Sequence, residues 1–171
     1  RPVIIHVVTH KGRGCKYAED NPQKFHGVSP VKKPKGVTFA AVFGEKLCQM
    51  AQENKNIAAI TAAMTDGVGL GRFAELFPDR FFDAGIAEQH ALDLAAGLAI
   101  GGMKPYFAVY SSFFQRAADQ WLTDVCIDKL PVTLVIDHAG FVPGDGVTHQ
   151  GIFDLSVLTA VPGAIICSPM D

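Results

Sequence analysis

Apolar positions along this sequence follow two rhythms: short β-branched or aromatic runs, and longer stretches in which apolar residues recur every three or four positions. Residues 3–8 form a run of strand length, closed by the polar, Gly-punctuated segment 9–14. Between residues 15 and 36 no periodicity is sustained. Pro22, Pro30 and Pro34 and the basic residues Lys32, Lys33 and Lys35 mark a linker there. It is longer than the about 12–15 residues a compact domain tolerates without a task for them. A domain boundary is therefore expected near residue 36, with residues 1–14 closing one domain and 37–171 forming the next.

Beyond the boundary, Phe39, Val42, Phe43, Leu47 and Met50 keep helical spacing behind a plausible cap at Thr38. Strands are predicted at 57–61, 81–83, 106–110, 132–137 and 164–167, and helices at 70–76, 87–100, 113–128 and near 153–158. Apolar strands separated by helices imply a parallel sheet covered on both faces, because parallel neighbours need crossovers. The expected fold is α/β, a three-layer αβα arrangement around a mainly parallel sheet. Function in such sheets collects at the C-terminal ends of the strands.

Composition narrows the classes. With 49% hydrophobic and 19% charged residues over 171 positions, the chain can bury a core, which excludes intrinsic disorder. A net charge of −2 offers no surface for a phosphate backbone, so no nucleic-acid partner is expected. The longest stretch without Asp, Glu, Lys or Arg is 155–170, interrupted by Pro162 and Pro169. It falls short of the about 18 residues that cross a bilayer, so no membrane association is expected. Cys15, Cys48, Cys126 and Cys167 form no C-x-x-C pair, which argues for reduced thiols and against a zinc finger or disulfide framework. The sequence opens on Arg1 within a strand-like run and reads as a piece of something longer, with no signal peptide expected.

Three strand ends carry chemistry. Ala84-Gly85-Ile86-Ala87-Glu88-Gln89-His90 puts Glu88 in the first turn of a helix. A carboxylate there can simply complement the helix dipole. Its apolar neighbours also allow a second use, because desolvation raises a carboxyl pKa and would let Glu88 share a proton with a ligand nitrogen. Tyr110-Ser111-Ser112-Phe113-Phe114-Gln115-Arg116 brings an aromatic ring and a guanidinium to the next crevice. Such a pair can stack a heteroaromatic ring and hold an anion, although a phenylalanine is more commonly core. The loop from His138 to Gly151 holds His138, Asp145 and His149 among glycines, placing imidazoles and backbone N–H groups where they could meet a ligand. No metal site is expected, since ligand spacing is absent. Gly67-Val68-Gly69-Leu70-Gly71 departs from the dinucleotide fingerprint and reads as a tight turn.

Together with Lys24-Phe25-His26, the segments Gly85–His90, Tyr110–Gln120 and Asp145–Gly151 stand in an order and spacing that resembles 1-deoxy-D-xylulose-5-phosphate synthases, thiamine-diphosphate enzymes related to transketolase. The resemblance runs over essentially the whole chain but only part of that family's length. It implies the end of a diphosphate-binding domain at 1–14, a linker at 15–36 and most of a pyrimidine-binding domain at 37–171. The Mg²⁺ ligands would lie in the absent first domain: Gly144-Asp145-Gly146 has the start of the family's metal motif, but no Asn follows Asn56. The chain by itself is then expected to be inactive.

The resemblance further implies that Glu88 bonds the aminopyrimidine nitrogen of thiamine diphosphate. Phe113 would stack on that ring, Ile86 would support the cofactor's bent shape, and Lys11 would reach the diphosphate. Tyr110, Arg116, Asp145 and His138 would contact substrate, and His149 and His26 would move or orient protons. His138 stands where family members commonly have arginine. The implied reaction joins pyruvate to D-glyceraldehyde 3-phosphate with loss of CO₂, in a homodimer of the cytoplasm or of a plastid stroma. Its product feeds isoprenoid, thiamine and pyridoxal synthesis. A transketolase or a 2-oxo-acid dehydrogenase chain would share the fold and the glutamate. Gln89-His90 together with Thr148-His149-Gln150 favours the deoxyxylulose enzymes. A non-catalytic assembly module is the reading from a different class.

Overall fold

A computed structural model describes residues 2–22, 24–27 and 36–169, so Pro30, Pro34 and the linker lysines Lys32, Lys33 and Lys35 lie outside the described residues. The chain divides into two compact units, Arg1–Gly36 and Val37–Asp171.

In the first unit the run 3–8 forms no strand, contrary to the sequence reading, and Val3, Ile4, Ile5, Val7 and Val8 are exposed. Apolar rhythm gives β-propensity, but a strand exists only where a neighbour takes its N–H and C=O groups. None among the described residues does. A short helix, α1 (Lys16–Asp20), interrupts what reads as linker; the Gly14 N–H donates to Glu19 Oε1 at 2.8 Å across its start.

The second unit opens with α2 (Phe39–Glu53). Thr38 caps it, its Oγ1 accepting the Ala41 N–H at 3.1 Å. The buried face is Gly44, Leu47, Cys48 and Ala51, while Phe39 and Val42, which share the helical spacing, are exposed. Gly44 is where α2 crosses the loop before the next helix: a methyl there would stand 1.9 Å from the Gly69 carbonyl oxygen. At its other end the helix stops on Arg80. That guanidinium donates to Ala51 O, Asn54 O and Ile57 O, each at 3.1 Å, and lies 4.5 Å from the Phe77 ring centre. It thereby satisfies carbonyls the helix terminus leaves open.

Strand β1 (Ile57–Thr61) follows and is buried throughout. Then come α3 (Gly71–Leu76), β2 (Phe81–Asp83), α4 (Glu88–Ile100) and β3 (Lys104–Tyr110). The order in the sheet is β2-β1-β3-β4, where β4 is Thr133–Asp137, and every pairing is parallel. Alternation along the strands builds two cores. Ile57, Ala59 and Ala108 face Leu47, Leu70 and Phe73 on the α2–α3 side. Ile60, Phe107 and Val109 face Leu92, Phe114 and Trp121 on the other. Helices on both faces of a parallel sheet make the three-layer α/β fold. Thr61, wholly buried, meets its need for a partner by donating its hydroxyl to Ala108 O at 2.9 Å.

Two further expectations are corrected. The helix predicted over 113–128 is broken into α5 (Ser111–Phe114), a 3₁₀ turn (Gln115–Ala117), α6 (Ala118–Gln120) and a π-helical stretch (Trp121–Cys126). Phe114, Ala117, Trp121 and Val125 stay buried on one side through these changes of pitch. The predicted strand at 164–167 is not formed, and Ile165 is exposed; β4 has no partner on its outer edge among the described residues. The predicted helix near 153–158 is α7 (Asp154–Thr159). No helix of the described residues is long and apolar enough to cross a membrane.

Substituting Arg80→Ala removes three hydrogen bonds, to Ala51 O and Asn54 O at the end of α2 and to Ile57 O at the start of β1, and a loss of about 2 kcal/mol is expected. Denaturant titration of the purified protein should show a lower midpoint with an unchanged slope.

Candidate functional site

Parallel pairing sends the C-terminal ends of all four strands to one edge, and the turns there are unusual. Ala63 just past β1, Gly85 past β2 and His138 past β4 all have left-handed backbones, with φ of 59°, 66° and 54°. For Ala63 and His138 that conformation is uncommon and is held by bonding. Asp83 supplies much of it: its Oδ1 accepts the Ala63 N–H at 2.7 Å and the Gly85 N–H at 3.0 Å, and its Oδ2 accepts the Thr65 hydroxyl at 2.9 Å. Sequence reasoning missed this residue. The signal available was an Asp at a strand end two positions before a glycine, the pattern of an Asx turn.

The turn that Asp83 holds delivers Glu88 to the start of α4, where it is 2% exposed. Its Oε1 accepts a hydrogen bond of 2.8 Å from Arg116 Nη1, while Oε2 takes none from the described residues. Arg116 is 47% exposed on its side chain, and its guanidinium carbon lies 5.1 Å from the Phe113 ring centre. The sequence reading brought Arg116 to the crevice to hold an anion; the structure gives it Glu88 as a standing partner. The pair joins a buried charge to a cation with one side in water, and removing Arg116 would leave the carboxylate unmatched in the core.

Aromatic contacts continue the cluster. Phe113 lies 6.0 Å from Tyr110 in a stacked arrangement and 5.3 Å from His149 edge to face. Tyr110 also stacks on His138 at 3.9 Å. The Tyr110 hydroxyl fits against Gly67, where a methyl group would stand 2.1 Å from it, so the turn glycine also makes room for this ring. Burial first, then the Asp137 and Asp145 carboxylates, push the Tyr110 phenol above its ordinary value. His138 places Nδ1 3.4 Å from Asp137 Oδ1 and Nε2 3.4 Å from Asp145 Oδ2, so a protonated ring would be flanked by two carboxylates. Its own backbone N–H donates to Asp137 Oδ1 at 2.7 Å.

Seven residues singled out in the sequence are thus linked contact by contact: Glu88, Arg116, Phe113, Tyr110, His138, Asp145 and His149. Ile86 sits two residues before Glu88 with 84% of its surface exposed, joined to none of them by the contacts above. Lys11 and His26 belong to the Arg1–Gly36 unit, where the Lys11 ammonium is hydrogen-bonded to His26 Nδ1. A cleft of about 250 Å³ opens beside the cluster between α5 and α7, lined by Ser112, Thr148 and Phe153 among others, and does not include Glu88. Among the described residues no three His, Cys, Asp or Glu side chains converge as a metal site, and the four cysteines are free thiols.

Comparison with known proteins places this geometry. Residues 35–171 match the family model described as transketolase, pyrimidine binding domain. The chain is 57% identical over 175 aligned residues to a 1-deoxy-D-xylulose-5-phosphate synthase of Clostridium perfringens (strain ATCC 13124), covering 98% of this chain and 28% of the relative. It is 55% identical to the enzyme of the same description from Clostridium kluyveri, with the same coverage. The chain therefore spans little more than a quarter of the length of these curated relatives.

Among solved structures, a split-gene transketolase described as an inactive β4 tetramer is 35% identical with a TM-score of 0.60, over 70% of this chain and 39% of that one. The transketolase of Campylobacter jejuni subsp. jejuni NCTC 11168 aligns with a TM-score of 0.65 at 22% identity, over 83% of this chain and 23% of that one, a likeness of fold. A parallel sheet with helices on both faces, a buried glutamate at the start of α4 and a family match running from the linker to the last residue lead to one assignment: this chain belongs to the transketolase pyrimidine-binding domain family.

Proposed function

We propose that this chain is the pyrimidine-binding part of a 1-deoxy-D-xylulose-5-phosphate synthase, which condenses pyruvate with D-glyceraldehyde 3-phosphate and releases CO₂. The observation that carries the proposal is Glu88, a carboxylate buried to 2% exposure at a strand-end helix start with one oxygen left free of hydrogen bonds to the described residues. High identity to curated synthases supports the substrate assignment. On this reading residues 1–14 end the diphosphate-binding domain, 15–36 link it, and 37–171 belong to the pyrimidine-binding domain. The bacterial sources of the relatives favour the cytoplasm over a plastid stroma. We take the whole protein to be a homodimer.

The residues present fit thiamine diphosphate. A buried carboxylate with an open acceptor suits an aminopyrimidine nitrogen, and the Phe113 ring suits the ring's face. Ile86, two residues before Glu88 in the chain, offers an uncovered apolar side chain. When bound, the cofactor supplies the electron sink for loss of CO₂ and carbon–carbon bond formation. Glu88 would hold a proton at its carboxyl for the pyrimidine N1′. Arg116 fixes the Glu88 rotamer through one N–H and keeps its other donors for a substrate carboxylate or phosphate. Tyr110, His138 and Asp145 would contact substrate and His149 would orient hydroxyls or carry protons; the family resemblance assigns a like role to His26. Lys11 would serve the diphosphate as a point charge, with the Mg²⁺ ligands expected from the diphosphate-binding domain.

An assembly module without catalysis is a second reading, favoured by the split-gene neighbour described as an inactive β4 tetramer. Glu88→Gln in the full-length protein separates the two. If Glu88 handles the proton, CO₂ release from pyruvate in the presence of D-glyceraldehyde 3-phosphate should fall by at least about 100-fold, with circular dichroism unchanged. A rate within a few-fold of the parent would refute the catalytic role.

The raised Tyr110 phenol carries a pH consequence. The folded protein keeps this proton to higher pH than the unfolded chain does. The associated stability is complete below the ordinary tyrosine value of about 10 and is lost as pH rises through the folded value. Tyr110→Phe should therefore flatten the alkaline decline of the urea midpoint above about pH 10, and leave its neutral-pH dependence on pH unaltered.

A further inference from the structure

The loop between β4 and α7 has little apolar support. Phe141 and Val147 are 85% and 94% exposed, and Gly140, Gly144, Gly146 and Gly151 make the segment costly to order. It is nevertheless closed. At its base Gly140 and Gly151 exchange backbone hydrogen bonds of 2.7 and 2.8 Å as an antiparallel bridge. Inside, backbone hydrogen bonds from the Asp145 N–H to Val142 O at 3.2 Å and from the His149 N–H to Gly146 O at 3.1 Å are joined by those of one side chain. Gln150 Oε1 accepts the Val142 N–H at 2.8 Å, and Nε2 faces the carbonyl oxygens of Val142 at 3.1 Å, Gly146 at 3.1 Å and Asp145 at 3.4 Å. The carboxamide takes both backbone groups of Val142, as an opposite strand would, and gathers the next turn with the same nitrogen. Its two N–H hydrogens serve three carbonyls, so the 3.4 Å contact is the weakest.

The loop held this way carries the groups that reach the cluster. Asp145, whose carbonyl Gln150 approaches, turns its carboxylate to His138 Nε2. His149, the preceding residue, sets its ring edge to face against Phe113 and shares a 3.0 Å hydrogen bond through Nδ1 with the Thr148 hydroxyl. We infer that Gln150 is a positioning residue of this site: its carboxamide fixes the loop that presents Asp145 and His149, and it touches no reacting atom itself. The catalytic part of this inference rests on the function proposed above; the loop geometry does not.

The test uses the full-length protein with Gln150→Ala and with Gln150→Glu. The second keeps the volume and the acceptor for Val142 N–H but puts an oxygen where the donor meets three carbonyls. Hydrogen exchange followed by mass spectrometry should show residues 140–151 exchanging about 10–100-fold faster in both variants, with β1 and β3 unchanged. In steady-state assays with pyruvate and D-glyceraldehyde 3-phosphate, kcat/KM should fall about tenfold, mostly through KM, with kcat within about threefold. Exchange that is unchanged in the loop, or accelerated equally in the strands, overturns the inference, as does a looser loop with unaltered kinetics. If Glu88→Gln leaves the rate intact while the loop still loosens selectively, the catalytic reading fails and the geometric role of Gln150 stands.

Discussion

Parallel pairing is the constraint on which the rest of Val37–Asp171 depends. A strand joins a parallel neighbour only after the chain has travelled back along the sheet, so β1, β2, β3 and β4 each arrive in the same direction and end on the same edge. Two consequences follow. The central strand is sealed on both faces, which is why β1 has no exposed position and its single hydroxyl must bond within the sheet. The four carboxyl ends, by contrast, are crowded with turns, and there the backbone takes left-handed conformations that only local bonding sustains. Burial and strain are thus separated along each strand, packing at one end and chemistry at the other.

Polar groups at that edge are arranged as supports for one another rather than as independent ligands. Asp83 holds the turn that presents Glu88, Arg116 balances Glu88, and Phe113 underlies Arg116. Tyr110 and His138 lie ring on ring, with carboxylates on both sides of the imidazole. A buried carboxylate needs such company, because an isolated charge in an apolar surrounding is too costly to persist. The arrangement also explains why Phe113 stands near the surface: its partners are a guanidinium, an imidazole and a phenol, not aliphatic core alone.

Legibility from sequence tracked the source of each element's stability. Strands at 57–61 and 81–83 and the capped helix after Thr38 were readable, since rhythm and cap chemistry are local. The residues gathered at the site were also readable, because a parallel sheet dictates where strand ends lie and a family motif fixed which side chains to weigh. What failed was whatever needs a distant partner. Residues 3–8 and 164–167 have the composition of strands but no neighbour among the described residues, and composition does not reveal one. The helix over 113–128 was legible in its extent but not in its changes of pitch, since Phe114, Ala117, Trp121 and Val125 keep the spacing of a regular helix. The Glu88–Arg116 pair spans 28 positions, and no spacing rule links residues so far apart. Asp83 and Gln150 act on backbone groups, which a reading of side-chain chemistry passes over.

The bare segment near the start of the chain has a bearing on handling. Val3, Ile4, Ile5, Val7 and Val8 present β-branched surface to water with only His6 among them, the make-up of segments that stack into ordered fibrils when copies meet. Such a run is an aggregation hazard in the isolated polypeptide, alongside the exposed Ile86, Phe141, Val147 and Ile165. A lysine in place of Ile4 would act as a gatekeeper against that association.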